Sequence, residues 1–373
     1  MTALTRLFLA NYRKYEKLDL RLDGRHVCLF GANGAGKTNL LEALSQLGPG
    51  RSLRGSSLGE ITRAGSETGT GWVVSAELDG DRKLGVALEE TARGNAKRTV
   101  RIDGAAANAG ELADLMRIVW LVPAMDRVFA GGASDRRRFF DRQVMAHIPG
   151  HGRTAAAYEQ AMRERNALLE QGRADPAWLD AIEARMAEHG AEMTVNRAGV
   201  LARLQMAVDA RPEGHFPKAR LGLEGPEGAI AGADAQLFEV AASLRGAFMD
   251  GRRRDMAAGR TLAGPHRADL SVIHVPTGAP AREASTGQQK ALLIGLILAS
   301  ASALSADTSG PKPLLLLDEA AAHLDADRRA ALFDELCAVG GQAWLTGTEA
   351  FLFEAFGDRA AHVEVDEGGA QVV

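Results

Sequence analysis

Residues 31–39 read Gly-Ala-Asn-Gly-Ala-Gly-Lys-Thr-Asn, which fits the spacing G-x-x-x-x-G-K-[ST]. Gly31, Gly34 and Gly36 let backbone N–H groups turn inward around phosphates, beside the positive end of a helix. Lys37 is placed to reach β- and γ-phosphates, and Thr38 to hold Mg²⁺. The remaining members of the loop, Ala32, Asn33, Ala35 and Asn39, line the same cradle. A glycine-rich turn that binds nothing would not need Lys-Thr in register. The spacing predicts a bound nucleoside triphosphate, ATP with Mg²⁺. The complement stands far downstream, where Leu314-Leu-Leu-Leu317 ends in Asp318 and Glu319. Asp318 suits the second magnesium position, and Glu319 suits a base that orients and deprotonates an attacking water.

These groups need elements that hold them. His26-Val-Cys-Leu-Phe30 predicts a buried strand before the loop, and Asn39-Leu-Leu-Glu-Ala-Leu44 an amphipathic helix after it. Gln342–Thr348 reads as the next strand of a parallel sheet. Since loop and carboxylates share one sheet, the head is discontinuous. The expected division is 1–119 for its first part, 120–257 for an inserted helical arm and 258–373 for its return. Val73–Leu78 and Lys97–Ile102 predict antiparallel strands, with turns at Asp79-Gly80 and Asp103-Gly104. Ser134–His147, Ala155–Glu170 and Ala177–Ala210 predict helices. The last carries apolar residues at 179, 182, 186, 193, 200, 204 and 208 in three- and four-residue steps, an antiparallel arm packed on itself. Pro212–Gly232, rich in Gly and Pro, predicts an irregular link. The fold class is α/β, with a short helical arm.

At 373 residues the chain suits two domains of roughly 100–200 residues each. Hydrophobic residues at 46% and charged residues at 25% fit a globular chain with a full core. Cys28 and Cys337 lie far apart in apolar settings, which implies buried thiols in a reducing compartment. The first ten residues lack the pattern of a secretory signal. The uncharged stretch Ala291–Ala306, 16 residues, falls short of a membrane span. The expected location is the cytoplasm. A net charge of −4 excludes a general basic coat, so nucleic-acid contact must come from local clusters. Three exist: Arg136-Arg-Arg138 with Arg142, Arg163 with Arg165, and Arg252-Arg-Arg254 with Arg260. Arginine's planar fork suits phosphate oxygens. Solvated helix faces, or pairs with Asp135, Asp141, Glu164 and Asp255, explain the same residues. Aromatics are 5% and do not interleave with the arginines, so backbone contact to duplex DNA is favoured over base stacking.

Ser285-Thr-Gly-Gln-Gln289 precedes a helix expected to open at Lys290. Standing about 30 residues before the carboxylate strand, it resembles the signature loop of ABC-type ATPases. A plain helix N-cap is the alternative for Ser285 alone. Further strings resemble the RecF family, in that family's order and over nearly the whole chain. They are Leu7-x-Leu9-x-Asn11-Tyr-Arg13, Gly50-Arg-Ser-Leu-Arg54, Pro123…Arg137-Arg138-x-Phe140-Asp141, Arg165-Asn166-x-Leu-Leu169 and Gly264-Pro-His-Arg-x-Asp269-Leu.

The resemblance implies an ATPase head similar to those of SMC proteins, with a short arm. It implies that Ser285, Gly287 and Gln288 close on ATP held by a second copy, with Asp325 of the His323-Leu-Asp325 string between the two sites. ATP then makes a homodimer on double-stranded and gapped DNA, and slow, DNA-stimulated hydrolysis releases it. RecO and RecR are the implied partners in loading RecA, in recombinational repair, replication and the SOS response. Two departures stand out: Ala124 where many members carry an acid, and Thr348 where transporter ATPases carry histidine. A transporter motor and a partner scaffold with incidental ATPase are the rival readings. Arg51, Arg54, His266 and Arg267 are further candidates for facing the nucleotide.

Overall fold

The computed structural model describes residues 3–50, 52–66, 70–90, 96–170, 175–226, 230–322, 324–367 and 369–373. The chain forms two compact units. One comprises Met1–Asp126, Gly214–Phe216 and Leu293–Val373, the other Arg127–Glu213 and Pro217–Leu292.

In the first unit, a six-stranded sheet runs in the order Ala370–Val372, Ala360–Val365, His26–Phe30, Gln342–Gly347, Pro313–Leu317, Arg117–Leu121. All neighbours are parallel except the Ala370–Val372 edge. Strands covered on both faces read as continuous apolar runs, and Pro313–Leu317 is buried at all five positions. Gln342–Gly347 lies between the loop strand and the carboxylate strand, so it touches both halves of the site. Registers Gly347↔Phe30 and Leu317↔Leu345 bring the carboxyl ends of these strands to one edge, where parallel sheets hold ligands.

The unit's other sheet is antiparallel, ordered Tyr15–Arg21, Leu4–Tyr12, Val73–Leu78, Lys83–Glu90, Ala96–Ile102, Ala105–Ala107. Both strands expected from alternation are present. The sheet's inward residues Leu7, Leu9, Leu18 and Val74 share one core with Leu40, Leu41 and Leu44 of the helix Lys37–Ser45. This packing fixes the helix that follows the loop.

The boundary expected at 119/120 falls inside the strand Arg117–Leu121, which pairs along its length with Pro313–Leu317. The chain leaves the first unit after Asp126 instead, and residues 258–292, expected with the head, belong to the second unit.

That unit holds the helices Ala133–His147, His151–Glu170, Pro176–Ala210 and Leu237–Ala258. Each apolar position expected along the long helix is buried. Gly190 permits close approach there: a Cβ would meet Leu244 and Tyr158 at 3.1 Å. The irregular link expected over 212–232 is corrected. It contains the strand Ala219–Glu224, paired with Asp269–His274 from Ala219↔His274 to Glu224↔Asp269. Gly222 in mid-strand and the flanking glycines hide its period from the sequence.

The helix Thr286–Ala306 is longer than the uncharged stretch implies. With 21 residues and a mean hydropathy of 1.5 it reaches membrane-spanning length, but 72% of its apolar window is buried in the protein. It reads as a core helix.

Candidate nucleotide site

Gly31 follows the strand end at φ +147°, where a Cβ would stand 2.0 Å from the Val365 carbonyl oxygen. Gly36 caps the helix at φ +113°, where a Cβ would meet the Tyr15 hydroxyl at 2.6 Å. Only glycine fits either place. Gly34 differs from both in its surroundings. It is exposed with Ala32 and Asn33 at the crest of the loop, and nothing lies within 4 Å of where its Cβ would stand. What requires glycine there is the backbone itself, left-handed at φ +81°, because that conformation turns the chain back toward the helix. Ala35, by contrast, is buried beneath the crest.

Lys37 Nζ donates to the Gly31 and Ala32 carbonyls at 2.7 and 2.9 Å, curled over its own loop. Burial pushes its pKa down, and the charges of Glu319 and Asp318 push it back up. The ammonium is therefore fixed by replaceable carbonyls next to two acids.

Three groups converge on the carboxylate side. Thr38 Oγ1 donates to Asp318 Oδ1 at 3.0 Å, and Thr346 Oγ1 donates to the same oxygen at 2.8 Å. The Glu319 backbone N–H donates to Thr346 Oγ1 at 2.8 Å. Thr346 is thus the link between the two acids. Glu319 itself is exposed and sits at φ +52°, a conformation that side-chain-bearing residues adopt at a cost. Such an outlier marks a residue aimed by its surroundings.

A hydroxyl and one carboxylate oxygen, 3.0 Å apart, would suit two positions around a Mg²⁺ ion whose other ligands come from a triphosphate and water. Among the described residues no group of three His, Cys, Asp or Glu side chains forms an all-protein metal site. The donor set fits a metal that arrives with phosphate.

Thr346 is not among the residues singled out from the sequence, whereas Thr348, which is, lies exposed beyond the strand. The available signal is a hydroxyl residue within an otherwise apolar strand. Lys14 also went unpredicted. Its Nζ donates to the Ala35 carbonyl of the loop and to Asp366 O at 2.6 Å. Arg13 is held by the buried Glu42 of the loop helix through two bonds of 2.7 Å. Arg54 reaches Asn39 Oδ1 at 3.2 Å, which sets it at the start of that helix. Arg51 and His323 lie outside the described residues. Asp325 caps the helix Ala326–Val339 by accepting from Arg328 N at 2.8 Å.

The signature segment belongs to the second unit. Its helix begins at Thr286, four residues before the expected start. Ser285 Oγ accepts from Gln288 N at 3.3 Å, and Gln288 Oε1 accepts from Ser285 N at 2.9 Å. This reciprocal capping box makes the N-cap reading of Ser285 correct as local structure. It also leaves Ser285, Thr286, Gly287 and Gln288 exposed, whereas Gln289 is buried and tied to the Arg282 and Ala284 carbonyls. The loop is rigid on one side and open on the other.

Residues 3–365 match the family described as RecF/RecN/SMC N terminal domain. The chain belongs to that family. Over 98% of its length it is 50% identical to the DNA replication and repair protein RecF of Caulobacter vibrioides, covering 97% of that protein. It is 48% identical to the protein of the same description from Agrobacterium fabrum, covering 98% of each chain. Its fold is similar to a solved structure of the recombination mediator protein RecF with a bound ATP analogue. The TM-score is 0.83 at 22% identity, with 100% of this chain and 98% of that one covered. An SMC head domain from Pyrococcus furiosus is similar at a TM-score of 0.53 and 15% identity, with 100% and 96% covered. The α/β ATPase head of ABC type, with an SMC-like plan, is thereby the fold of this family member.

The arginines expected to meet DNA divide sharply. Arg165 is fully buried, bonding Glu183 at 2.9 Å, Asp255 at 2.6 Å, Thr261 at 2.9 Å and the Phe248 carbonyl at 2.8 Å. It is a structural ion of the helical layer and not a surface cation, which corrects that expectation. Arg136 is half-buried and committed to Asp269 through bonds of 2.9 and 2.6 Å. Arg142 is half-buried as well, and desolvation pushes its pKa down to about 10. Arg138, 79% exposed, and Arg163, 68% exposed, keep only loose pairs with Asp135 and Glu159. Sequence spacing cannot separate these cases, because Arg165 finds Asp255 90 residues away and Arg136 finds Asp269 133 residues away.

His266 does not point outward either. Its Nδ1 lies 2.7 Å from the Tyr158 hydroxyl and its Nε2 3.0 Å from the Thr261 carbonyl. Arg267, next to it, is exposed.

Proposed function

We propose that this chain is an ATP-driven DNA clamp of recombinational gap repair and replication-fork maintenance, as the names of its relatives suggest. Gly31–Asn39 cradles the triphosphate, Thr38 and Asp318 hold Mg²⁺, and Lys37 leaves its loop carbonyls for the β- and γ-phosphates. Glu319 orients and deprotonates the attacking water. The carrying observation is the chain Thr38–Asp318–Thr346–Glu319, which joins the metal-side and water-side groups through three bonds of 2.8 to 3.0 Å.

Ser285, Gly287 and Gln288 complete the pocket of a second copy, with Asp325 near the junction. Their exposure, with the loop already stiffened by its capping box, supports that role. ATP then makes the homodimer, and slow, DNA-stimulated hydrolysis ends it. In this reading the first unit, with Met1–Asp126 and Leu293–Val373, acts as the head, and the second carries the arm and the signature segment. Arg138 and Arg163, with the exposed Arg253, Arg254 and Arg260, are the members of the three arginine clusters that remain available to phosphate. Double-stranded and gapped DNA, RecO and RecR are the partners, in the cytoplasm.

Glu319→Gln keeps ATP binding and accumulates a dimer on gapped duplex, while Lys37→Met and Ser285→Arg stay monomeric. Sedimentation velocity with ATP, Mg²⁺ and DNA reads this out. A wild-type protein that remains monomeric under those conditions at high concentration refutes the clamp.

A further inference from the structure

The turn Gly264–Asp269 of the second unit is braced from several helices at once. Arg197 Nη1 donates to the Pro265 carbonyl at 2.6 Å, and Arg137 Nη1 donates to the Ala268 carbonyl at 3.0 Å. His266 is pinned between Tyr158 and Thr261, as described. Gly264 sits at φ +116°, where a Cβ would stand 2.4 Å from the Tyr158 hydroxyl, so no other residue suits the bend. What this bracing presents to solvent is Arg267, whose side chain has no hydrogen-bond or ion-pair partner among the described residues.

The charges around the turn do not balance. Four guanidiniums, Arg136, Arg137, Arg197 and Arg267, face two carboxylates, Asp141 and Asp269. Arg136 takes Asp269, and Arg197 takes Asp141 through bonds of 2.7 and 2.8 Å, an acid that His151 also contacts. Arg137 and Arg267 are left with no carboxylate and close enough to repel. Burial pushes the Arg137 pKa down and the charges of Arg197 and Arg267 push the same way, while those of Asp269 and Asp141 push it back up in part. An anchored guanidinium and an exposed one, neither in an ion pair among the described residues, together suit an anion with paired oxygens. The rings nearby, Tyr158 and Phe248, are fully buried, so no base can stack beside them.

We propose that Arg137 and Arg267 form a phosphate clamp that holds the backbone of duplex DNA. This rests on the DNA-clamp reading above and deepens it by naming two residues that touch phosphate: Arg137 from the first arginine cluster, and Arg267, which the sequence offered only as a candidate for facing the nucleotide. Arg267 supplies the free fork. Arg137, anchored by the Ala268 carbonyl, supplies the fixed one. The turn sets their spacing.

The test is duplex binding across a salt series, with ATP and Mg²⁺ present, for wild type, Arg267→Gln and Arg267→Lys. Each neutralised phosphate contributes about 0.9 to the slope of log affinity against log salt. Arg267→Gln should lower that slope by about one and weaken binding about tenfold at low salt. Arg267→Lys should recover the slope and only part of the affinity. Because Arg267 makes no internal contact, the melting temperature of both variants should match wild type. A wild type that does not bind duplex overturns the DNA reading itself. Normal wild-type binding with an unchanged Arg267→Gln slope and affinity overturns the clamp alone. A variant that loses ATP binding without DNA also overturns it, because the phosphate recognised is then the nucleotide's.

Discussion

Replacing Thr346 with valine keeps the shape of the side chain and removes one hydroxyl. That hydroxyl donates to Asp318 Oδ1 at 2.8 Å and accepts from the Glu319 N–H at 2.8 Å, in a side chain only 1% exposed. A hydrogen bond to a charged partner contributes about 1.5–3 kcal/mol, and stranding a backbone N–H costs about 1–3 kcal/mol. Glu319 is exposed, so water can recover part of the second figure, and the sum comes to about 3 kcal/mol. For a unit of this size each kcal/mol shifts melting by about 2–4 °C, so the first thermal transition should fall by about 6–12 °C. The catalytic consequence differs from the stability loss. With its N–H freed, Glu319 can relax from φ +52°, and single-turnover hydrolysis should slow while ATP binding through Gly31–Thr38 persists. Thr346→Ser retains the hydroxyl and should preserve turnover. Calorimetry and rapid-quench hydrolysis measure the two effects. A Thr346→Val protein that melts within about 2 °C of wild type and turns over normally refutes the reasoning.

Arg165→Ala strips the buried Asp255 of its guanidinium and leaves Glu183 with Arg252 alone, and should cost about 3–5 kcal/mol in urea unfolding, whereas exposed Arg138→Ala should change it by less than about 0.5 kcal/mol. Equal effects would contradict the division drawn among the arginines. Burial holds the His266 pKa at about 4 in the folded protein, below the ordinary value of 6.5. The unfolded chain therefore takes up a proton between pH 6.5 and 4 that the folded chain refuses. Its contribution is intact above pH 6.5 and is lost as pH falls through that window, by up to about 3 kcal/mol. His266→Gln should flatten this part of the stability–pH curve, and an unchanged slope argues against it. Gly31→Ala forces a Cβ to 2.0 Å from Val365 O and should weaken ATP binding about tenfold or more, measured by fluorescence titration.

The nucleotide half of the site was legible because its chemistry is local. A phosphate cradle needs glycines at fixed offsets, and a buried parallel strand announces itself as Leu314–Leu317 before two acids. The spacing does not say which glycine serves close approach, as Gly31 and Gly36 do, and which serves only a left-handed turn in open solvent, as Gly34 does. The long arm helix was legible for the same reason as the cradle, its buried positions repeating in three- and four-residue steps. Other features depend on distant partners. Thr346 matters only because the sheet order sets its strand between the loop and the carboxylates. Arg165 and Arg138 look alike in sequence, yet one is enclosed by Glu183 and Asp255 while the other faces water. The strand Ala219–Glu224 was concealed by the flexible residues that flank and interrupt it. The helix start at Thr286 was readable after all, since Ser-x-x-Gln is a capping box.

The central claim is that each pocket is built from two copies of the chain, and complementation tests it directly. Lys37→Met carries a spoiled phosphate loop, and Ser285→Arg a spoiled signature, so each alone should lack turnover. Mixed in equal amounts with ATP, Mg²⁺ and DNA, the dimers that form should pair unlike copies, since neither variant pairs with itself, and each such dimer has one pocket intact of two. Turnover should return to at most about one half of wild type by that symmetry. A mixture that stays inactive, or a Ser285→Arg protein that hydrolyses ATP unaided, contradicts the shared pocket.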